Sequence, residues 1–261
     1  MLLTVDIGNT NISFRVFDGE NIIRAFSISS DIKKTKDEYG SLISDLIKKS
    51  DTSLNITACA ISNVVLALDE TIKSAISEYL KVEVFNITHK IKLPFGIKID
   101  VPSELGADRI ANAAYAVKHC KLPVIVADFG TATTFDIIDA NSNFVGGMIA
   151  PGVNIQAQSL TKFTSKLPKL RIETAKNVIA KNTVDAMLAG IVRGHSCMID
   201  GMVTLSEKEL GESATFIACG GYSEILYDKV ERKFDLIDKD LTHKGIKILW
   251  ELNNEKNCDE N

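Results

Sequence analysis

The sequence predicts an α/β fold built from two related halves, each opening on strands and continuing into helices. Three observations predict it. The stretches Asp6-Ile7-Gly8-Asn9-Thr10 and Asp128-Phe129-Gly130-Thr131-Ala132-Thr133-Thr134 each follow a short apolar run and read Asp-x-Gly, then small hydroxyl or amide residues. The order strand-strand-strand-helix-strand-helix occurs twice, and a repeat seen only twice points to a duplicated domain rather than a solenoid. At 261 residues, with 45% hydrophobic and 25% charged side chains, the chain is long enough for two ordinary globular lobes. The boundary is expected near Pro123, giving lobes over 1–121 and 122–261.

In the first half, apolar and β-branched runs predict strands over 2–7, 12–17 and 22–28, with Asp18-Gly19 as a hairpin turn. Leu42, Ile43, Leu46 and Ile47 at helical spacing predict a helix over 36–50. A strand over 56–61, a helix over 66–79 and a strand over 82–87 follow. An irregular stretch, 89–104, leads to Gly106-Ala107-Asp108-Arg109, which opens a helix over 110–118. In the second half a hairpin begins at Val124, and its partner strand lies over 144–149. Helices are expected over 153–160 and from Thr183 to about Leu205, with a surface loop over 163–172 between them. A strand over 214–218, a short helix over 223–227 and a terminal helix over 242–252 complete the chain, with a polar tail after it. Gly190 and Gly194 fall inside the helical pattern and suggest either close packing or a broken helix.

The net charge of −4 leaves no basic footprint and argues against nucleic acid as a partner. No apolar run is long enough to span a membrane, and the N-terminus opens directly on a strand rather than on a signal peptide. Cys59, Cys120, Cys197, Cys219 and Cys258 are scattered without a C-x-x-C pair, which reads as reduced thiols in a cytoplasmic protein without structural zinc. His89, His119, His195 and His243 show no metal-ligand spacing and receive no role. Asp136 and Asp139 read as solvated strand or turn residues.

A hairpin turn carrying glycine lets backbone approach a ligand, and its N–H groups with Thr or Asn side chains form an anion-binding concavity. The Asp at each strand end is a hard oxygen ligand suited to Mg²⁺ through water. Two such hairpins facing a cleft would hold the two ends of a nucleoside triphosphate. One copy alone would be an ordinary polar turn; the duplication favours phosphate. This strand and helix order matches the duplicated ribonuclease-H-like architecture of actin, sugar kinases and acetate kinases: two lobes with mixed sheets flanked by helices. That architecture alone does not give a function.

Taken together and in order, the motifs Asp6-x-Gly-Asn-Thr, Gly106-Ala107-Asp108-Arg109, Asp128-x-Gly-Thr-Ala-Thr-Thr and Gly146-Gly147-Met148-Ile149-Ala150-Pro151-Gly152 resemble the type III pantothenate kinases. Weaker echoes are Leu167-Pro168, Asn182-Thr183 with Gly190, and Gly220-Gly221. The resemblance covers almost the whole chain. It implies ATP-dependent phosphorylation of pantothenate to 4'-phosphopantothenate, the first step of coenzyme A synthesis, by a homodimer that uses Mg²⁺ and a monovalent cation, K⁺ or NH₄⁺. It places Asp6, Ile7, Gly8, Asn9, Thr10, Asn11, Ile12 and Ser13 in the first phosphate-binding segment, with Asp6 near Mg²⁺. It places Gly106, Ala107, Asp108 and Arg109 at pantothenate, with Asp108 as general base. Asp128 matches the monovalent-cation ligand, Thr131 an ATP contact, and Thr183 a substrate contact close to the dimer partner. The sequence departs from the family in two places. A Tyr that contacts pantothenate in many members is missing from 95–100, and Cys219 stands where Thr is common.

Phosphoryl transfer needs alignment, charge neutralisation and a base near the attacking hydroxyl. Asp108 can serve as that base; equally, it is an Asp favoured at a helix N-terminus with Arg109 as a surface partner. Arg109 offers donors suited either to the carboxylate of pantothenate or to Asp108. Asp6 and Asp128 bring negative charge toward a polyanion and so call for cations, with K⁺ near Asp128 replacing the lysine other kinases place at the phosphates. Two alternatives compete. One is an actin-like nucleotide-dependent regulatory protein without a small-molecule acceptor. The other is a kinase acting on a sugar or an acyl acid.

Overall fold

The computed structural model describes residues 1–48, 54–174 and 177–254. The last two residues of the helix expected over 36–50, most of the polar tail and Cys258 lie outside the described residues. The chain divides into two compact units. Unit 1 comprises Met1–Pro94, Asp100–Tyr115 and the chain from Leu241; unit 2 comprises Phe95–Ile99 and Ala116–Asp240.

Unit 1 opens with β1 (Leu2–Ile7), β2 (Asn11–Asp18) and β3 (Asn21–Ser29), an antiparallel meander. Gly19 takes a left-handed φ of 56° in the tight turn between β2 and β3. Helix α1 (Lys36–Lys48) starts from a capping box: the Thr35 hydroxyl accepts from Glu38 N–H, and the Glu38 carboxylate accepts from Thr35 N–H. Then come β4 (Ala58–Asn63), a 3₁₀ turn leading into α2 (Asp69–Leu80), and β5 (Val84–Asn86). The sheet order is β3-β2-β1-β4-β5, with β4 parallel to β1. Leu3, Val5 and Ile7 pack in one cluster with Ile43 of α1 and Ile72 of α2. Strand β1 is central and covered on both faces, which is why it reads as a continuous apolar run.

Unit 2 repeats this plan after a two-residue edge strand, β6 (Gly96–Ile97), and helix α3 (Ala107–His119), which starts in unit 1 and ends in unit 2. The strands β7 (Val124–Phe129), β8 (Ala132–Ile138) and β9 (Asn143–Pro151) form the second meander. Helix α4 (Val153–Phe163) follows. Helix α5 (Thr183–Leu188) runs through a π-helical turn, Ala189–Arg193, into α6 (Gly194–Leu210). Then come β10 (Thr215–Cys219), α7 (Ser223–Tyr227), β11 (Leu236–Ile237) and α8 (Leu241–Asn254). The sheet order, read from the far edge, is β6-β9-β8-β7-β10-β11. Apart from the added β6 it is the order of the first sheet, so the duplication expected from the two hairpins is present in the topology.

Two readings of the sequence are corrected here. Asp136 is fully buried, because β8 is a central strand with cover on both faces, whereas Asp139 does cap its turn by accepting from Asn141 N–H and Asn143 N–H. Gly190 and Gly194 sit in a continuous helical run with a π turn rather than a break, and a Cβ at either would meet nothing within 4 Å.

Helix α8 packs in unit 1 against β1 and β4 and touches α3. A Cβ on Gly245 would overlap the backbone carbonyl of Ala111, so the two helix backbones meet directly. Backbone cannot move aside as a side-chain tip can. Gly245→Ala is therefore expected to destabilise unit 1 by about 1–3 kcal/mol, the range for overpacking a tight contact. A urea midpoint unchanged from wild type would rule this contact out.

Candidate active site

Each unit carries its Asp at the same place in a hairpin. Asp6 on β1 faces Ser13 on β2, and Asp128 on β7 faces Thr134 on β8, each one pair before the strands separate. The first turn closes with Gly8 N–H donating to the Asn11 carbonyl at 3.0 Å; the second closes with Gly130 N–H donating to the Ala132 carbonyl at 3.0 Å. The second turn is one residue shorter. Asn9, Thr10, Asn11 and Thr131 are exposed at the tips, while Ile7 and Ile12 are buried and fix the strands beneath them.

In unit 1 the Ser62 hydroxyl donates to Asp6 Oδ1 at 3.0 Å, and Val64 N–H donates to the Ile7 carbonyl at 3.1 Å. The segment carrying Asp108 lies beside those strand ends. A Cβ on Gly106 would fall 3.5 Å from Val64 Cγ1 and 2.5 Å from Asp108 Oδ1, so the missing side chain leaves the space the carboxylate occupies. Ala107 is buried at the start of α3, and Ile110 N–H closes its first turn onto the Gly106 carbonyl. Asp108 Oδ1 accepts from Arg109 N–H at 2.7 Å. Burial pushes the Asp108 carboxyl above its ordinary value; the Arg109 N–H and guanidinium and its own N–H oppose this without cancelling it. A half-buried carboxyl with a raised pKa is suited to taking a proton.

In unit 2 the Asp128 carboxylate sits among glycines. A Cβ on Gly220 would come within 2.5 Å of Asp128 Oδ1 and 2.6 Å of the Phe129 backbone, and one on Gly130 would lie 3.5 Å from Asp128 Oδ1. The Gly220 turn is tied to this hairpin by Tyr222 N–H donating to the Phe129 carbonyl. A carboxylate in a cradle that a Cβ would fill suits a cation held by oxygen atoms. Among the described residues no three His, Cys, Asp or Glu side chains gather as a metal site. Cys219, the register partner of Asp128, is buried at the end of β10. Gly220 also has a φ of 85°. Gly220→Ala is expected to lose about 2–4 kcal/mol from left-handed strain plus overpacking, and Gly221→Ala, whose Cβ meets nothing within 4 Å, is the control. Equal urea midpoints for the two variants would contradict the close approach at Asp128.

Thr183 is exposed at the first turn of α5, whose cap residue Asn182 accepts from Asp185 N–H at 2.9 Å. It lines a groove of about 530 Å³ with Gln156, Leu160, Leu167 and Met187. In the stretch without the expected Tyr, Phe95 is buried and Gly96–Ile97 pairs with β9 as an edge strand.

Two buried histidines were not assigned from the sequence. His243 of α8 bonds Thr4 Oγ1 and Ser13 Oγ, each at 2.8 Å, and His195 of α6 bonds Thr133 Oγ1 and Gln156 Nε2, each at 2.9 Å. These pairings span 39 to 239 positions in the chain, and no local spacing signals them. Ser62 was missed for a related reason. It meets Asp6 only through the parallel register of β1 and β4.

A sequence profile of the type III pantothenate kinases matches residues 2–205. The type III pantothenate kinase of Syntrophus aciditrophicus (strain SB) is 38% identical over 254 residues, covering 97% of this chain and 100% of that protein. This chain belongs to the type III pantothenate kinase family. Among solved structures, a conserved Baf family protein from Campylobacter jejuni matches with a TM-score of 0.62 at 22% identity, covering 96% of this chain and 98% of the other. MreB5 of Spiroplasma citri bound to ADP matches with a TM-score of 0.52 at 11% identity, covering 96% of each. These two matches speak to fold, and they place the chain in the actin-like class expected from its duplicated hairpins. The family match makes it an enzyme of the kinase class. No helix among the described residues is long and apolar enough to cross a membrane.

Proposed function

We propose that this chain transfers the γ-phosphoryl group of ATP to the terminal hydroxyl of pantothenate, forming 4'-phosphopantothenate for coenzyme A synthesis. The observation that carries the reading is the Gly106-Ala107-Asp108-Arg109 segment. In a chain of this family, it presents a half-buried carboxyl with a raised pKa at the start of a helix. Asp108 takes the proton of the attacking hydroxyl. Arg109 offers its guanidinium to the pantothenate carboxylate, and the backbone at Gly106 and Ala107 borders the same substrate. The hairpin from Asp6 to Ser13 and the Thr131 turn hold ATP through backbone N–H groups and hydroxyls. Thr183 contacts pantothenate from its groove.

Asp6 would hold Mg²⁺ through water, and Asp128 in its glycine cradle would hold K⁺ or NH₄⁺. When bound, these ions supply the positive charge that offsets repulsion between carboxylates and phosphates. A homodimer is supported by apolar side chains left exposed on unit 2: Phe163 at 77%, Val178 at 71% and Ile179 at 87%. The enzyme works in the cytoplasm, the reading that its scattered cysteines without a C-x-x-C pair suggest.

The test is incubation of purified protein with ATP, Mg²⁺ and pantothenate in K⁺ and in Na⁺ buffer, with product detected by mass. 4'-Phosphopantothenate formed in K⁺ and not in Na⁺ supports the reading. ATP hydrolysis without phosphorylated pantothenate overturns it.

A further inference from the structure

His195 bridges two parts of unit 2 that the reaction uses. Gln156 Nε2 donates to the Pro151 carbonyl at 2.9 Å, so the amide nitrogen also faces His195 Nδ1 at 2.9 Å. Nδ1 is therefore the acceptor. The ring proton sits on Nε2 and is donated to Thr133 Oγ1 at 2.9 Å. Thr133 is the register partner of Phe129, the residue after Asp128, and the rings of Phe129 and His195 meet in a T-shaped arrangement with centroids 6.4 Å apart. On the far side of the turn, Gly152 N–H donates to the Thr131 carbonyl at 3.2 Å, and Gln156 N–H donates to the Gly152 carbonyl at 3.0 Å. The Asp128–Thr131 turn is thus held on one side through Thr133 of β8, which His195 of α6 bonds, and on the other by Gly152, the cap of α4. Gln156, the other end of the bridge, lines the Thr183 groove. The π turn ends two residues before His195, and such turns re-aim the residues that follow them.

We propose that His195 is a positioning residue: its hydrogen-bonded line from Thr133 to Gln156 fixes the Asp128–Thr131 turn for nucleotide binding and ties that turn to the wall of the Thr183 groove. The inference rests on the ATP-binding part of the reading above. A histidine serving only to fill the core would matter for stability and not for ligand affinity.

The test compares wild type with His195→Gln, which can keep a donor toward Thr133, and His195→Phe, which keeps the ring volume and removes both bonds. Affinity for a non-hydrolysable ATP analogue is measured by calorimetry on folded protein, with KM for ATP and kcat measured alongside. His195→Phe is expected to weaken nucleotide affinity and raise KM for ATP by about tenfold or more, with a smaller change in kcat at saturation. His195→Gln is expected to recover most of the affinity at a similar melting temperature. Affinity within twofold of wild type in His195→Phe overturns the proposal; if that variant does not fold, wild-type affinity in a Thr133→Val variant, which removes the acceptor, does so. Calorimetry needs no turnover. A wild type that binds the analogue yet leaves pantothenate untouched removes the substrate reading and leaves this one standing.

Discussion

Asp108→Asn lowers kcat for pantothenate phosphorylation by about 10²–10⁴-fold, the usual contribution of a general base, while ATP affinity stays near wild type. The substitution is close to isosteric. The amide oxygen can still accept from Arg109 N–H, so the 2.7 Å contact that shapes the first turn of α3 survives. It cannot take the proton of the attacking hydroxyl. Because burial raises the Asp108 carboxyl, the acid limb of the wild-type kcat/KM profile should fall at a pH above the ordinary carboxylate range. The Asp108→Asn substitution should remove that limb from whatever activity remains. An Asp108→Asn enzyme with wild-type kcat would assign the base elsewhere and leave Asp108 as a helix N-terminal residue.

Mild acid, above the ordinary carboxylate range, destabilises the protein. Burial holds the His195 ring neutral down to about 4, and burial followed by the Arg15 charge holds His243 neutral down to about 3. The unfolded chain protonates both near the ordinary value of about 6.5. Above that pH neither state takes up a proton and the stabilisation is complete. As pH falls below it, only the unfolded state gains protons, so stability drops until each folded-state pKa is reached. The slope approaches about 1.4 kcal/mol per pH unit per histidine, which amounts to about 3 kcal/mol for the pair between pH 6.5 and 5. Urea midpoints across that range measure it. His243→Gln should flatten the slope for unit 1 and His195→Gln the slope for unit 2. Midpoints that do not move with pH in wild type would mean that neither ring is held neutral.

Much of this was legible in the sequence because its signals are local. Asp-x-Gly at a strand end and Asp18-Gly19 are read within a few residues, and β1, α1, α7 and the two hairpins lie where such signals place them. The motif order also carried the family. What escaped depends on contacts across the fold. Asp136 is polar and looks solvated until its strand is placed inside the sheet, between β7 and β9. Strand β11 has two residues and no periodicity. The π turn leaves the apolar pattern of α5 and α6 almost unchanged. Thr4 and His243 can be joined only once α8 is known to lie on β1.

The placement of α8 also sets a timetable for synthesis. Thr4 and Ser13 stand 239 and 230 positions before His243, yet the three meet in one hydrogen-bonded group. Unit 2 is complete once Asp240 has emerged; unit 1 is not, and one face of its sheet waits uncovered until the segment from Leu241 follows. A nascent chain that stops short of Leu241 therefore carries a finished second unit and an open first one. Such a chain exposes the face of β1 and β4 that α8 covers, the kind of surface chaperones and proteases act on.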